Sequence, residues 1–132
     1  MDKSALEVLL ERLEKAEGPD REIDFDLHIL ECESSCWADV EVQVERAKRN
    51  GVVPYTASLD ASIALVERIE PKWEYILNWR GWASRGRAFA SVNEASAIDR
   101  SIAYHDTSVI IALLTAMVKA LIAEEKNRAD HP

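Results

Sequence analysis

A chain of 132 residues with 48% apolar and 30% charged side chains is expected to fold as one globular domain whose core needs neither metal nor disulfide staples. Its net charge of −8 argues against a duplex-DNA binder, which needs a large basic surface. Two cysteines cannot make a disulfide framework, the charged start MDKSALEVLLERLEK is no signal peptide, and the apolar run Val109 to Val118 is too short to span a bilayer, so a reduced cytoplasmic setting is expected.

Residues 1–50 read as helices. Ser4 to Glu17 places Leu6, Leu9, Leu10 and Leu13 on one face, with Ser4 and Glu7 as a capping box and Gly18-Pro19 as the stop. Asp20 caps a second helix, Arg21 to Cys32, whose inner edge is Ile23, Leu27 and Leu30. Glu22, Asp24 and Asp26 complement its positive N-terminus. Cys36 to Asn50 fits two patterns: Trp37, Val40, Val44 and Ala47 have helical spacing, and Val40, Val42 and Val44 alternate as in a strand. Gly51 ends it, and Val52 to Tyr55 is an extended connection imposed by Pro54.

Residues 51–126 supply the rest of the domain. Ser58 is read as the N-cap of a helix with Leu59, Ile63, Val66 and Ile69 as its buried stripe. A β-hairpin follows. Trp73, Tyr75, Leu77 and Trp79 alternate with Glu74, Ile76, Asn78 and Arg80, Gly81 and Gly86 bracket a turn, and Arg87, Phe89 and Ser91 alternate with Ala88, Ala90 and Val92. A third antiparallel strand covers 98–104. Thr107 is the expected cap of a last helix to about Lys126, apolar nearly all round over VIIALLTAMV. That circumference calls for cover on several sides, most simply from a twofold partner subunit. Residues 127–132 are an expected frayed tail. The order predicts an α+β fold with a three-stranded antiparallel sheet layered between helices. The expected core is Leu9, Leu13, Leu59, Ile63, Leu77, Phe89, Ile111, Leu114 and Val118.

Three stretches resemble the phage ABA sandwich domain family. They are Leu9 to Glu14 running into Gly18-Pro19-Asp20-Arg21-Glu22-Ile23-Asp24, then Tyr55-Thr56-Ala57-Ser58-Leu59-Asp60-Ala61, then Thr107 with the Ala/Leu-rich helix to Ala123. The resemblance spans about residues 6–124. Glu33 to Asn50 departs from the family pattern, being longer and more charged. It implies a phage or prophage origin, hence the cytoplasm of a bacterial host, and an α–β–α layered fold. It implies no catalytic residue.

Charge and aromatic content single out one region. Residues 1–71 hold 17 acidic and 8 basic side chains, whereas residues 72–105 hold 3 and 5. This small electropositive island suits a compact anion better than a long polyanion. Trp79 and Trp82 offer faces for a base, and Arg80, Arg85 and Arg87 offer bidentate bonds to phosphate. The plainer reading is core tryptophans with solvated arginines at a turn. Asp24, His28, Cys32 and Cys36 lie on one helical stripe, but its ends are about 18 Å apart at 1.5 Å per residue, so a shared metal is not expected. Glu22, Asp24 and Asp26 read as a solvated helix start, and His105-Asp106 precedes a helix start at which Thr107 or Asp106 is read as the cap before any anion site.

The expected function is therefore that of a non-enzymatic phage accessory protein without metal or cofactor. It binds a small anionic, nucleotide-type ligand through Trp79, Arg80, Trp82, Arg85 and Arg87, and its sharpest form sequesters a host immune signal. The alternative is an acidic protein-interaction module that inhibits a host protein through the Asp20–Glu45 region. An enzyme ranks last, because no acid, base and nucleophile converge.

Overall fold

The computed structural model describes residues 2–35, 39–78, 88–94, 101–105 and 108–130. Helix α1 spans Lys3–Lys15. Its cap is Asp2, whose carboxylate accepts the Ala5 N–H at 2.8 Å, in place of the expected Ser4. Two oxygens make Asp the stronger acceptor for the positive helix start. Helix α2, Arg21–Ser35, begins as expected, with Asp20 Oδ1 accepting from the Glu22 and Ile23 N–H groups. It runs beyond the expected end at Cys32.

The ambiguous third segment is a helix. α3 spans Val40–Asn50, capped by Asp39, and Gly51 ends it at φ 86°, a left-handed conformation that glycine adopts without penalty. Helix period wins over the short valine alternation because Ala47 is the position that buries, while Val42 stays exposed. Helix α4, Leu59–Ile69, is capped by Ser58 as read. Its buried stripe keeps the expected Val66 but is otherwise rotated from the expected one. Ser62, Leu65 and Val66 are buried, and Leu59, Ile63 and Ile69 flank the core half-exposed.

Strands β1 (Trp73–Asn78), β2 (Ala88–Glu94) and β3 (Ser101–His105) form an antiparallel meander in the order β1-β2-β3. Tyr75 pairs with Val92, Leu77 with Ala90, and Ala90 with Ala103. Helix α5, Val109–Asp130, passes the expected end at Lys126. Ser108, next to the expected cap Thr107, accepts the Ile111 N–H through Oγ at 3.1 Å.

The class is α+β, with five helices and a small open antiparallel sheet. The layer order among the described residues differs from a sheet held between helices. α5 packs beneath β2 and β3, α1 and α4 pack against α5, and α2 joins α1, α4 and α3. The inner sheet face carries Ala88, Ala90, Val92 and Ala103, all buried. The opposite face carries Ile76, Ile102 and Tyr104, exposed at 45%, 41% and 45%. The chain itself covers the apolar girth of α5: Ile111 to Val118 are buried by sheet and helices. That girth therefore no longer calls for a second subunit.

Leu9, Leu13, Ile111, Leu114 and Val118 lie in the core as expected. Leu59, Ile63 and Leu77 sit half-buried at its margin. Phe89 does not belong to it. The register places Phe89 opposite Asn78 and Tyr104, on the outer face with Ser91.

Candidate ligand-binding face

The outer face of the sheet follows from parity. Side chains alternate along a strand, so burial of Ala88, Ala90 and Val92 turns Phe89, Ser91 and Asn93 the other way. Cross-strand pairing sets Ile76 and Ile102 on either side of Ser91, and Tyr104 beside Phe89. The Phe89 and Tyr104 rings meet with centroids 5.3 Å apart and planes tilted by 57°, within the favourable range for aromatic pairs. Half-exposed Tyr104 keeps ring surface open to solvent. Between the isoleucines, Ser91 is fully buried, and its Oγ has no hydrogen-bond partner among the described residues. The face thus combines an aromatic pair, two aliphatic walls and a sunken hydroxyl.

Trp79, Arg80, Trp82, Arg85 and Arg87, the sequence-read ligand set, lie outside the described residues, as do Cys36 and Asp106. The described part of β1 ends at Asn78 and that of β2 begins at Ala88, so the stretch of sequence with those five residues adjoins the strand ends where Phe89 and Tyr104 sit. Sequence reading placed Phe89 in the core and gave Tyr104 no role. The signal that identifies Phe89 as outward is its parity with Arg87 and Ser91, against Ala88, Ala90 and Val92.

Elsewhere several buried and half-buried polar groups are bonded within the chain. Asp24, 4% exposed, accepts the Thr56 N–H at 2.7 Å and the Thr56 hydroxyl at 2.8 Å, and Thr56 Oγ1 accepts the Asp20 N–H at 2.8 Å. These bonds tie together two of the stretches that carry the family resemblance. Tyr55 is wholly buried. Its hydroxyl donates to Glu31, which also takes Arg68 Nε at 2.8 Å. Burial, then the Glu31 carboxylate, pushes the Tyr55 hydroxyl well above the usual tyrosine range.

Arg12 bridges Glu22 at 2.7 Å and Asp26. Burial raises the Asp26 carboxyl above its ordinary range, and the Arg12 guanidinium only partly offsets it. The Glu22–Asp24–Asp26 run is therefore more than a solvated helix start: two of its members bind Arg12 and one binds Thr56. His28 Nε2 lies 3.6 Å from Cys32 Sγ, while Asp24 is engaged with Thr56. Among the described residues, no three His, Cys, Asp or Glu side chains cluster as a metal site.

The caps read beside His105, Asp106 or Thr107, lie outside the described residues, and His105 itself is bonded at both ring nitrogens. Its Nδ1 accepts the Ser108 N–H at 2.8 Å, and its Nε2 donates to the Ala16 carbonyl at 2.7 Å. The two partners assign the tautomer with the proton on Nε2. Beside it lies a cleft of about 290 Å³ between α1, β3 and α5, lined by Glu14, Tyr104, Thr115 and Lys119 among others. A second, shallower groove of about 370 Å³ runs over Arg12, Arg21, Phe25 and Asp26. No described helix is long and apolar enough to cross a membrane.

No protein-family model, curated protein or solved structure matches the chain.

Proposed function

We propose that the protein is a non-enzymatic binding protein for a small anionic, nucleotide-type ligand, held by the outer sheet face together with the β1–β2 connection. The observation that carries this reading is the Phe89–Tyr104 pair, half-buried at Phe89 and 45% exposed at Tyr104, at the end of the described strands that borders a stretch of sequence with three arginines and two tryptophans. Bases of any identity stack on aromatic faces, and such stacking contributes about 1–3 kcal/mol per base. Arginine supplies the paired hydrogen bonds that phosphate oxygens accept. Both chemistries are then neighbours along the chain, the aromatic pair on the described strands and the arginines in the adjoining stretch of sequence. In a phage or prophage setting such a protein sequesters a nucleotide signal of the host.

The competing reading, an acidic inhibitor acting through Asp20–Glu45, has less support. Asp20 and Asp39 cap helices, Asp24 holds Thr56, Glu22 and Asp26 hold Arg12, and Glu31 holds Tyr55 and Arg68. Carboxylates already bonded within the chain are poor anchors for a basic partner. The exposed Ile76 and Ile102 are the feature that favours a protein ligand instead, docked on this same face.

Isothermal titration calorimetry and thermal shift against mono-, di-, cyclic and cyclic oligonucleotides test the proposal. Binding that raises the melting temperature and disappears in an Arg85→Ala, Arg87→Ala double variant is the expected result. A wild type that binds none of them removes the nucleotide reading and leaves the protein partner.

A further inference from the structure

Three elements meet around the cleft beside β3, and side chains tie them to one another. Lys119 of α5 donates through Nζ to the Ile102 carbonyl of β3 at 3.0 Å. His105 of β3 donates through Nε2 to the carbonyl of Ala16, just past the end of α1, at 2.7 Å. α1 and β3 both pack on α5. The space between them, about 290 Å³, is therefore braced by bonded elements. It lies near the lower end of the range for small-molecule sites, which are usually pre-formed.

The lining joins apolar side chains to two separate charges. Leu13 and Ala103 are buried. Thr115 and Lys119 are four residues apart on α5, so they share one face of that helix. Thr115, 5% exposed, gives its hydroxyl proton to the Ile111 carbonyl at 2.7 Å, and a hydroxyl engaged in this way still accepts. The Lys119 ammonium has three donors, of which the Ile102 carbonyl takes one. On the α1 side, Glu14 is exposed, and its carboxylate makes no ion pair with Lys119 or with any other described residue. The adjacent lysine, Lys15, is held by Glu11. The cleft thus offers spare donors on a cation and spare acceptors on an anion and a hydroxyl.

We propose that this cleft binds a small zwitterion, a free α-amino acid with an apolar side chain. Lys119 takes the carboxylate, Glu14 and the Thr115 hydroxyl take the ammonium group, and Leu13 and Ala103 receive the side chain. The ligand class follows from charge. A simple anion in the cleft would meet Glu14, and a simple cation would meet Lys119, each a like-charge contact. A neutral polyol would leave both charges without a counter-charge. A molecule carrying both signs answers both walls through charge-assisted hydrogen bonds, the stronger class. The inference is independent of the nucleotide proposal, because its charged groups stand on α1 and α5 and not on the outer face of the sheet.

The test is thermal shift and isothermal titration calorimetry on the full chain with glycine, L-alanine, L-valine and L-leucine. Isocaproate and isoamylamine, which are leucine without its amine and without its carboxylate, serve as controls. The expected result is saturable binding that raises the melting temperature, tightest for valine or leucine. Either control should bind roughly tenfold or more weakly, the effect of losing one charge-assisted bond. Glu14→Gln, at an exposed position with no bond to lose, should weaken leucine binding by a similar factor and leave the melting temperature of the free protein unchanged. Lys119→Met should abolish binding in a protein still folded by circular dichroism, and Lys119→Arg should restore part of it. Binding should survive the Arg85→Ala, Arg87→Ala double change, which separates this site from the nucleotide reading. A wild type that binds no amino acid at millimolar concentration overturns the proposal. So does leucine binding that Glu14→Gln and Lys119→Met leave intact, or that the double arginine change removes. Isocaproate bound as tightly as leucine would also overturn it, by reducing the cleft to an anion site.

Discussion

The two faces of the three-stranded sheet invert the usual relation between size and burial. On β2 and β3 the buried face holds Ala88, Ala90, Val92 and Ala103, and the open face holds Phe89, Ile102 and Tyr104. The reason lies in the helix beneath. α5 brings bulk to the core it shares with the sheet and helices: Ile111, Leu113, Leu114, Met117 and Val118 are all fully or almost fully buried. Interiors pack at near-crystalline density, so a helix that supplies this bulk needs small residues opposite it. β1 lies at the margin of α5, and there the inward residues are large again: Trp73, Tyr75 and Leu77. Apolar volume on a strand therefore does not mark the core face. The volume of the partner does, and bulk on the other face is left for another use.

The largest test of this contrast is Leu114→Ala, which removes bulk from the helix where the alanines of the sheet cannot fill the gap. A loss of about 2–5 kcal/mol is expected, read as a lower urea midpoint. A loss below about 1 kcal/mol would show that the sheet collapses onto the smaller side chain and that the small inner face is not a matched surface. Ala90→Leu probes the contact from the other side. Ala90 is fully buried against α5, and overpacking is expected to cost about 1–3 kcal/mol. An enlargement on the open face, Ile102→Phe, should cost less, because Ile102 is 41% exposed. Equal costs at the two positions would erase the distinction between the faces.

The helical half sets a second contrast with the open face, because its buried Asp24, Thr56 and Ser62 are hydrogen-bonded within the chain. Thr56→Val keeps the shape but removes the hydroxyl that Asp24 accepts from and that Asp20 N–H donates to. A buried carboxylate with one donor fewer is expected to cost about 1–3 kcal/mol, measured by thermal or urea unfolding. Asp26 sharpens the point through pH. Its carboxyl titrates above the ordinary aspartate range because burial outweighs Arg12, so the folded state binds that proton more tightly than the unfolded chain does. Stability from this group is then present at low pH. It falls as pH rises from the ordinary aspartate value through the raised one. Relative to Asp26→Asn, the wild type is expected to gain stability as pH is lowered through that window. An opposite slope would mean that the Arg12 pair dominates.

Much of the fold was legible because it rests on local rules. Asp20 and Ser58 as caps, Gly51 as a stop, and the period of α1 are written within a few residues of the element they control. The cap of α1 was misplaced because Asp2 and Ser4, two residues apart, are both cap-forming residues, and the N–H that is reached decides between them. The buried stripe of α4 was misread because α2 and α5 flank it from two sides, which no single periodicity reveals. Tyr55 is fully buried on a proline-bearing connection, and its place depends on Glu31, 24 residues away. The same holds for the candidate site. Alternation marked the strands, and the choice of face required knowing that α5 lies beneath β2. Trp79, Arg80, Trp82, Arg85 and Arg87 are legible as chemistry from sequence, and the described sheet adds the aromatic pair at its end.

The smallest expected effect on stability, and the most telling for function, belongs to Tyr104→Ala. Tyr104 is 45% exposed and its ring is in contact with Phe89. Removing it forfeits a partly solvated aromatic pair, so a stability change of at most about 1 kcal/mol is expected. If the open face receives a base, the same change should lower the affinity for the tightest nucleotide found by calorimetry by at least roughly fivefold, at the lower end of the 1–3 kcal/mol that stacking contributes. Tyr104→Phe should retain most of the affinity, since the ring face and not the hydroxyl makes the contact. A large loss of stability in Tyr104→Ala would place the ring in a core after all. Full affinity in a folded Tyr104→Ala would move the ligand off the sheet face and leave the arginines of the β1–β2 connection to hold it alone.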